Sequence, residues 1–355
     1  RTLFPYRRSS DLRDARSEQT PSMAPSRLAS QLSFHVSFFF PPELTGLAGL
    51  STQGAQWRTI GHPSLSGLHF TKLSISTANA SIAFAASHAD SASLTTVNNS
   101  ITGEYHANTI RAHTDNGAVE GKFYAQGGTV DIHTTNNKVN ATIRARTAKL
   151  YNRNGPVKGD FVTQERLAID NSNGKIGGEF SSGGELDLAT SNSPIEGTFK
   201  VAQSLVAKTS NAKVDIRLIL GGSPGADERG PKSDLLAGVE HLRDVKNPDG
   251  PGAIVKSKVT VSASTSNSSV TIDVVEHPES VDLQARVKTS NASGTIKHFS
   301  PCDATFDVSL SPFPSSHNSL RADFSLPALD FKRPRLGHRP FAPQRRLPAP
   351  VQPQM

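Results

Sequence analysis

Residues 190–218 read TSNSPIEGTFKVAQSLVAKTSNAKVDIRL, and the fold can be predicted from this segment. It holds two related units, TSNSPIEGTF and TSNAKVDIRL, which begin 19 residues apart at Thr190 and Thr209. After the second Asn, apolar residues return at every other position, at Val214, Ile216 and Leu218. A period of two is typical of a β-strand with one buried face. Each unit is therefore predicted to be a strand, a turn centred on Asn and a second strand.

The same unit recurs along most of the chain. The turn Asn of each copy is Asn79, Asn98, Asn116, Asn136, Asn154, Asn173, Asn192, Asn211, Asn267 or Asn291. Each of the first seven steps between them is within one position of 19, whereas the last two are longer, at 56 and 24. A fixed period of this length indicates a repeat architecture, in which each unit buries its apolar face against its neighbours.

Aligning the units on the turn Asn gives columns of like residues. The column two positions before the Asn is Thr in eight units and Asn in two, and the column three positions after it is Ile or Val in nine. The column seven positions after it holds Tyr105 and several Phe residues. Between these apolar columns, five positions after the Asn, stands a column that is mostly small, with Gly in five units and Ala in one; we call it the Gly column. We expect this Gly column to face inward and to leave space for the Phe rings.

Like residues at one period predict an all-β fold, a single β-solenoid that resembles the parallel β-helix, with about ten rungs of about 19 residues. Stacked coils place each residue about 4.8 Å from its copy in the next coil, so that ten rungs extend for about 48 Å. An antiparallel meander of hairpins shares the alternation of apolar residues. It would not align like with like, and the solenoid is therefore preferred.

The ends of the chain and one internal segment depart from the repeat. The stretch 2–12, TLFPYRRSSDL, resembles a translated sequencing adaptor and is left out of the fold prediction. The predicted organisation is a disordered N-terminus at 1–30, a cap with lead-in strands at 31–70, rungs one to eight at 71–218, a Gly/Pro-rich inserted loop at 219–256, rungs nine and ten at 257–300, and a fading repeat followed by a disordered, basic, Pro-rich tail at 301–355.

The net charge of +7 is concentrated at the two ends of the chain. Residues 1–30 carry a net +3 and residues 321–355 a net +5, which leaves −1 for the long stretch between them. A specific nucleic-acid partner is therefore not expected for the repeat region. The chain has one cysteine, Cys302, no run of 18 apolar residues and no clear signal peptide. These features predict no transmembrane segment and favour an intracellular location.

No catalytic site is predicted, nor any cofactor. In two outward columns, four positions after the Asn and five before it, we expect no carboxylates in adjacent rungs, although paired carboxylates are what glycoside hydrolysis usually needs. Phosphate-binding glycine loops, a nucleophile elbow and the calcium-binding nonapeptide are also absent from the sequence. The chain is therefore predicted not to be an enzyme.

One pair of side chains is a weak candidate for a metal site. His113 and His133 both stand three positions before a turn Asn, one rung apart, and Tyr151 and Asp170 follow in the same column. Two neighbouring imidazoles can bind Zn²⁺ or Cu²⁺ weakly, but a structural zinc site needs about four ligands. The favoured interpretation is that both side chains face solvent.

The strings TSNSPIEGTF (190–199), TSNAKVDIRL (209–218), TSNSSVTIDV (265–274) and FTKLSISTANASI (70–82) resemble a large group of uncharacterised fungal proteins, mainly from basidiomycetes, with Thr-Ser-Asn repeats. They are also similar to bacterial adhesin-like repeat domains. The resemblance covers about residues 60–296 and carries no catalytic residues. It implies a surface or scaffold role.

The predicted function is thus a non-enzymatic, adhesin-like or scaffold β-solenoid that binds protein or glycan along an extended face. Two alternatives stay open. One is a carbohydrate-active β-helix enzyme, which an acidic cleft on one outer face would favour. The other is a self-associating intracellular structural protein, since open sheet edges favour stacking between copies.

Overall fold

The structure, a computed structural model, describes residues 40, 44–221, 257–298, 304–310 and 320–324. The segment predicted as a disordered N-terminus, the Pro-rich tail beyond residue 324, residues 222–256 of the predicted inserted loop and Cys302 lie outside the described residues. All the described strands belong to the unit Glu43–Met355.

The described residues form nineteen strands and one short 3₁₀ turn, Pro63–Gly67, with no α-helix among them. The strands are β1 (Gly46–Gly54), β2 (Thr59–Gly61), β3 (His69–Thr77), β4 (Ile82–Thr96), β5 (Ile101–Thr114), β6 (Val119–Thr134), β7 (Val139–Asn152), β8 (Val157–Asn171), β9 (Ile176–Ser182), β10 (Glu185–Thr190), β11 (Ile195–Val201), β12 (Ser204–Lys208), β13 (Val214–Leu220), β14 (Ser257–Thr265), β15 (Val270–Glu276), β16 (Val281–Thr289), β17 (Gly294–His298), β18 (Ala304–Leu310) and β19 (Leu320–Phe324).

These strands wind into stacked turns. Each described pairing is parallel and joins a strand to its counterpart one turn later, as in β9–β11–β13 and β10–β12–β14. We call the strands that follow the Asn corners the post-corner sheet and those that precede them the pre-corner sheet. Each of β4 to β8 passes from the first sheet to the second within one continuous strand.

The arrangement confirms the predicted parallel β-solenoid with a repeat of about 19 residues, and it has about twelve turns. One added turn lies at each end: β1 and β2 pair with β3 and β4, and β18 and β19 pair with β16 and β17. In the first turn Gly54 occupies the position that Thr77 has in the second turn. The first turn therefore lacks the Thr-x-Asn pattern from which the ten rungs were predicted.

The core is a set of ladders made by inward side chains. Aromatic rings of the post-corner sheet stack along it, with ring centroids 5.6 Å apart for Tyr105 and Phe123 and 4.8 Å apart for Phe180 and Phe199. All four are fully buried. Stacking of identical rings at the turn spacing contributes both buried area and ring contact, and it accounts for the Phe column of the sequence.

The Thr of the corner also points inward, where it satisfies backbone groups. Thr96 Oγ1 donates to the carbonyl oxygen of Ala80 at 3.0 Å, and Thr134 Oγ1 donates to that of Gly117 at 3.0 Å. Asn152 Nδ2 makes the equivalent bond to Asn137 O at 2.8 Å. Each bond fastens one corner to the corner of the preceding turn, which explains why this position accepts only short polar side chains.

The Gly column is explained mainly by close backbones rather than by room for Phe rings, although a Cβ at Gly197 would also lie 3.1 Å from the ring of Phe180. Gly103 and Gly121 are half-buried and have φ of +135° and +143°, conformations that other L-residues rarely adopt. A Cβ on either one would lie 2.0 Å from a backbone oxygen of the preceding turn, that of Phe84 or of Gly103. The column is therefore Gly because consecutive backbones approach closely there.

The stack is continuous across the long step between the eighth and ninth corners. β12 pairs with β14 and β13 with β15 in parallel register, although β13 ends at Leu220 and β14 begins at Ser257. Asn267 Nδ2 still donates to Asn211 Oδ1 at 2.7 Å. The segment between these strands is therefore inserted without displacing either turn.

Candidate functional site

An open groove of about 790 Å³ crosses the outer surface of the post-corner sheet. Its floor is backbone of the Gly column, at Gly103, Gly121, Ala141, Gly159 and Gly178. Its walls are outward side chains that flank the floor residues along each strand, with Ala85 at one end and Glu179 at the other. We call this feature the post-corner groove. It runs from Ala85 to Glu179, over six stacked turns, so its length is about 24 Å.

The walls of the groove carry charges of both signs. Four carboxylates (Glu104, Glu120, Asp160, Glu179) and two ammonium groups (Lys122, Lys158) line it. An acidic cleft is thus present on one outer face, partly balanced by lysines.

Ion pairs between neighbouring turns hold several of these groups in place. Lys122 Nζ lies 3.2 Å from Glu104 Oε2, and Lys138 Nζ lies 2.7 Å from Glu120 Oε1. Arg144 Nη2 donates to Asp160 Oδ2. Lys158 and Glu179 form no ion pair with another described residue, and their charges are therefore available to a ligand.

Glu104 has the densest surroundings in the groove. His106 Nε2 lies 2.8 Å from its Oε1, in addition to the contact with Lys122. Partial burial alone would raise the pKa of Glu104, but the hydrogen bonds and charges of His106 and Lys122 outweigh it and hold that pKa below its usual value. Glu104 is therefore a fixed anion at neutral pH.

The expectation that no carboxylates stand in adjacent rungs is wrong at Glu196 and Asp215, which are register partners four positions after their Asn. Lys213 lies 2.7 Å from Glu196 and 3.9 Å from Asp215, and Lys175 also bonds Glu196. These two lysines hold the pKa of Glu196 below its ordinary value.

A second stacked carboxylate pair lies in the groove itself. Asp160 and Glu179 are register partners six positions after their Asn, outside the two columns for which the sequence predicts no stacked carboxylates. Register partners in adjacent turns stand about 4.8 Å apart. Aligning the repeat units on the turn Asn is enough to place these two carboxylates in adjacent turns.

The structure places His113 and His133 side by side on the pre-corner sheet, away from the groove. Their ring centroids are 4.6 Å apart, and Tyr151 continues the stack at 4.6 Å from His133. Partial burial and the neighbouring His113 lower the pKa of His133. Within the described part of the chain, no three His, Cys, Asp or Glu side chains are grouped so that they could hold a metal ion.

Sequence reasoning missed a second histidine column, which borders the groove. His69, His88, His106 and Tyr124 are successive register partners, each one repeat after the one before. The rings of His88 and His106 stack at 4.5 Å and those of His106 and Tyr124 at 4.8 Å. Partial burial, His106 and His69 lower the pKa of His88. The spacing was visible in the sequence, but this column lies outside those that were compared.

Comparisons with protein-family models, with curated proteins and with solved structures find no match to this chain. Among the described residues there is no helix long and apolar enough to cross a bilayer. The geometry of the groove is therefore the main guide to function.

Proposed function

We propose that this chain is an adhesin-like binding scaffold, whose post-corner groove holds an extended segment of a partner protein or glycan. The observation that carries the proposal is the groove itself: an open channel over six turns, with a backbone floor and walls of both charges. The resemblance of the Thr-Ser-Asn strings to adhesin-like repeats supports the same role.

The groove is preorganised for an extended ligand. Its walls stand on a parallel sheet and are joined by the ion pairs of Glu104, Glu120 and Asp160, so little ordering remains when a ligand binds. A length of about 24 Å matches roughly seven residues of extended peptide. Lys158 and Glu179, which have no ion-pair partner among the described residues, would supply the anchoring charges.

Charge reversal at these two positions tests the proposal. Arrays of extended peptides of defined charge pattern and of linear oligosaccharides serve as probes for the full chain. We expect Lys158→Glu combined with Glu179→Lys to lower the affinity for the bound probes at least tenfold, because both anchoring charges change sign. The matched control is Lys149→Glu, an exposed residue of the pre-corner sheet.

Unchanged binding by the groove variant, or an equal loss in the control, would contradict the proposal.

A second candidate function is cleavage of a glycan, which the stacking of Asp160 and Glu179 favours because the carboxyl groups of retaining glycosidases are about 5 Å apart. Shortening of the oligosaccharide probes by the native chain, lost in Asp160→Asn, would indicate cleavage rather than binding.

A further inference from the structure

The turn Asn residues form a second ordered feature, on the corner rather than on a sheet. In every step between the ten corners, Nδ2 of the later Asn donates to Oδ1 of the earlier one. The nine bonds are 2.6 to 2.9 Å long, and all run in the same direction. All ten side chains are exposed. The corner is therefore an exposed column of stacked amides.

The ladder leaves hydrogen-bonding capacity unused. A carboxamide has two N–H donors and two acceptor lone pairs, and the ladder takes one of each. The backbone of the corner needs none of them, because its N–H groups bond to the preceding turn, as Asn192 N does to Ser172 O at 3.0 Å. One donor and one acceptor per turn remain for an external partner.

In the last five corners a second row joins the ladder. The residue before the Asn is Ser in each of them, whereas in the first five corners this position varies between Ala78, Val97, Asp115, Thr135 and Arg153. The hydroxyls of the five Ser residues make no hydrogen bond to another described side chain or backbone group. We call the resulting surface the Ser-Asn ridge; its pairs are Ser172/Asn173, Ser191/Asn192, Ser210/Asn211, Ser266/Asn267 and Ser290/Asn291.

The ridge consists only of small, uncharged Ser and Asn side chains, and one pair recurs in every turn. Its five pairs are linked by four steps of one turn each, about 19 Å in total. A partner that contacts all five pairs must repeat at the same distance. A mismatch of roughly 0.5 Å per step would put the last contact about 2 Å out of register, beyond hydrogen-bond tolerance.

The chemistry of amides indicates which partner has this period. Extended chains joined side by side by amide N–H···O=C bonds lie about 4.8 Å apart, as neighbouring β-strands do. From this match we infer that the Ser-Asn ridge binds the surface of a solid polysaccharide of N-acetylated amino sugars, whose acetamido groups hydrogen-bond from chain to chain. Such a polymer is uncharged, like the ridge. A soluble oligomer lacks the chain-to-chain repeat and binds the ridge weakly, which separates this site from the post-corner groove.

Co-sedimentation with insoluble chitin, a polymer of N-acetylglucosamine, tests the inference. We expect the full chain to sediment with chitin, and to bind at least tenfold less to chitosan, which lacks the acetyl groups, and to cellulose. The triple variant Ser191→Lys, Ser210→Lys, Ser266→Lys places charge and bulk on the ridge without removing a ladder amide. It should reduce binding to chitin at least tenfold.

The matched control is Ser204→Lys with Ser262→Lys, both outward on the pre-corner sheet. It should bind chitin like the native chain, and circular dichroism should show all variants equally folded. Equal retention on chitosan or cellulose, no effect of the ridge variant, or sedimentation of the native chain without any polymer would each overturn the inference; the last would indicate self-association. Loss of groove binding in Lys158→Glu with Glu179→Lys should leave chitin binding intact, so the two sites can fail separately.

Discussion

At the scale of single residues, the glycines of the groove floor lie close against the backbone of the preceding turn. Gly121 has φ of +143°, and a Cβ there would meet the carbonyl oxygen of Gly103 at 2.0 Å. We expect Gly121→Ala to lower the free energy of unfolding by about 1–3 kcal/mol, because the added Cβ must either strain the backbone at this position or push the two neighbouring turns apart. Urea unfolding followed by circular dichroism measures the change.

A matched control for this substitution is Gly67→Ala, since no atom lies within 4 Å of a Cβ at Gly67. It should change the unfolding free energy by less than about 0.5 kcal/mol. Equal effects at the two glycines would show that the close approach of backbones does not limit the stack.

The corner residues could be predicted from the sequence, whereas the role of the glycines could not. Thr at one fixed distance from Asn indicates a turn whose polar groups need partners, and the bond of Thr96 to Ala80 meets that need. The constraint on Gly121 comes from its φ and from the carbonyl of another turn. Neither is encoded in the spacing of residues within one unit.

At the scale of elements, two buried histidines join the last turns. His277 Nε2 donates to the carbonyl oxygen of Val281 at 2.9 Å, and its Nδ1 lies 2.8 Å from His298 Nε2, within hydrogen-bond distance. His298 is fully buried, its ring packs edge-on against Phe306 of β18, and its Nδ1 has no hydrogen-bond partner among the described residues. Burial, with a smaller effect of His277, lowers the pKa of His298.

Acid should therefore weaken this end of the stack. The unfolded chain takes up a proton at His298 near pH 6.5, whereas the folded chain takes it up only at lower pH, so stability is fully present above 6.5 and falls as the pH drops below it. The slope is at most about 1.4 kcal/mol per pH unit for this proton. Hydrogen exchange at pH 7.5 and 5.5 should show faster opening of β15 to β17 at the lower pH.

Two variants make this expectation specific. His298→Leu removes the titrating group and should flatten the pH dependence of exchange in β15 to β17, even if it changes their stability. His113→Gln replaces a half-exposed side chain of the pre-corner sheet, and it should leave the pH dependence of exchange in β15 to β17 unaltered. A native-like pH slope in His298→Leu would rule out the buried pair as its source.

Register between turns limits what could be predicted about side-chain clusters. The repeat period alone was enough to place His113 beside His133, which the structure shows at 4.6 Å. Glu104 and Lys122 are register partners in one column, whereas the contact of Glu104 with His106 depends on side-chain conformations that no column reveals. The groove follows from a floor of Gly and Ala residues, and the close approach of backbones that accounts for the glycines does not show in their spacing.

At the scale of the whole stack, one winding pattern produces both proposed surfaces. The post-corner groove needs the Gly column and alternating charges, and it lies over the first half of the repeat. The Ser-Asn ridge needs identical corners, and it lies over the second half. Both depend on each turn lying directly above its copy, as Val206 and Ser262 do on either side of the inserted segment.

The most direct test of this stacking is one distance. Ser93 and Asp187 are outward residues of one column, five turns apart. Spin labels at these two positions, in a chain whose Cys302 is replaced by Ser, report their separation by pulsed electron resonance. The solenoid predicts a separation of about 24 Å, one step of about 4.8 Å per unit. A separation of about 48 Å, from the two strand spacings per unit of an antiparallel meander, would contradict it.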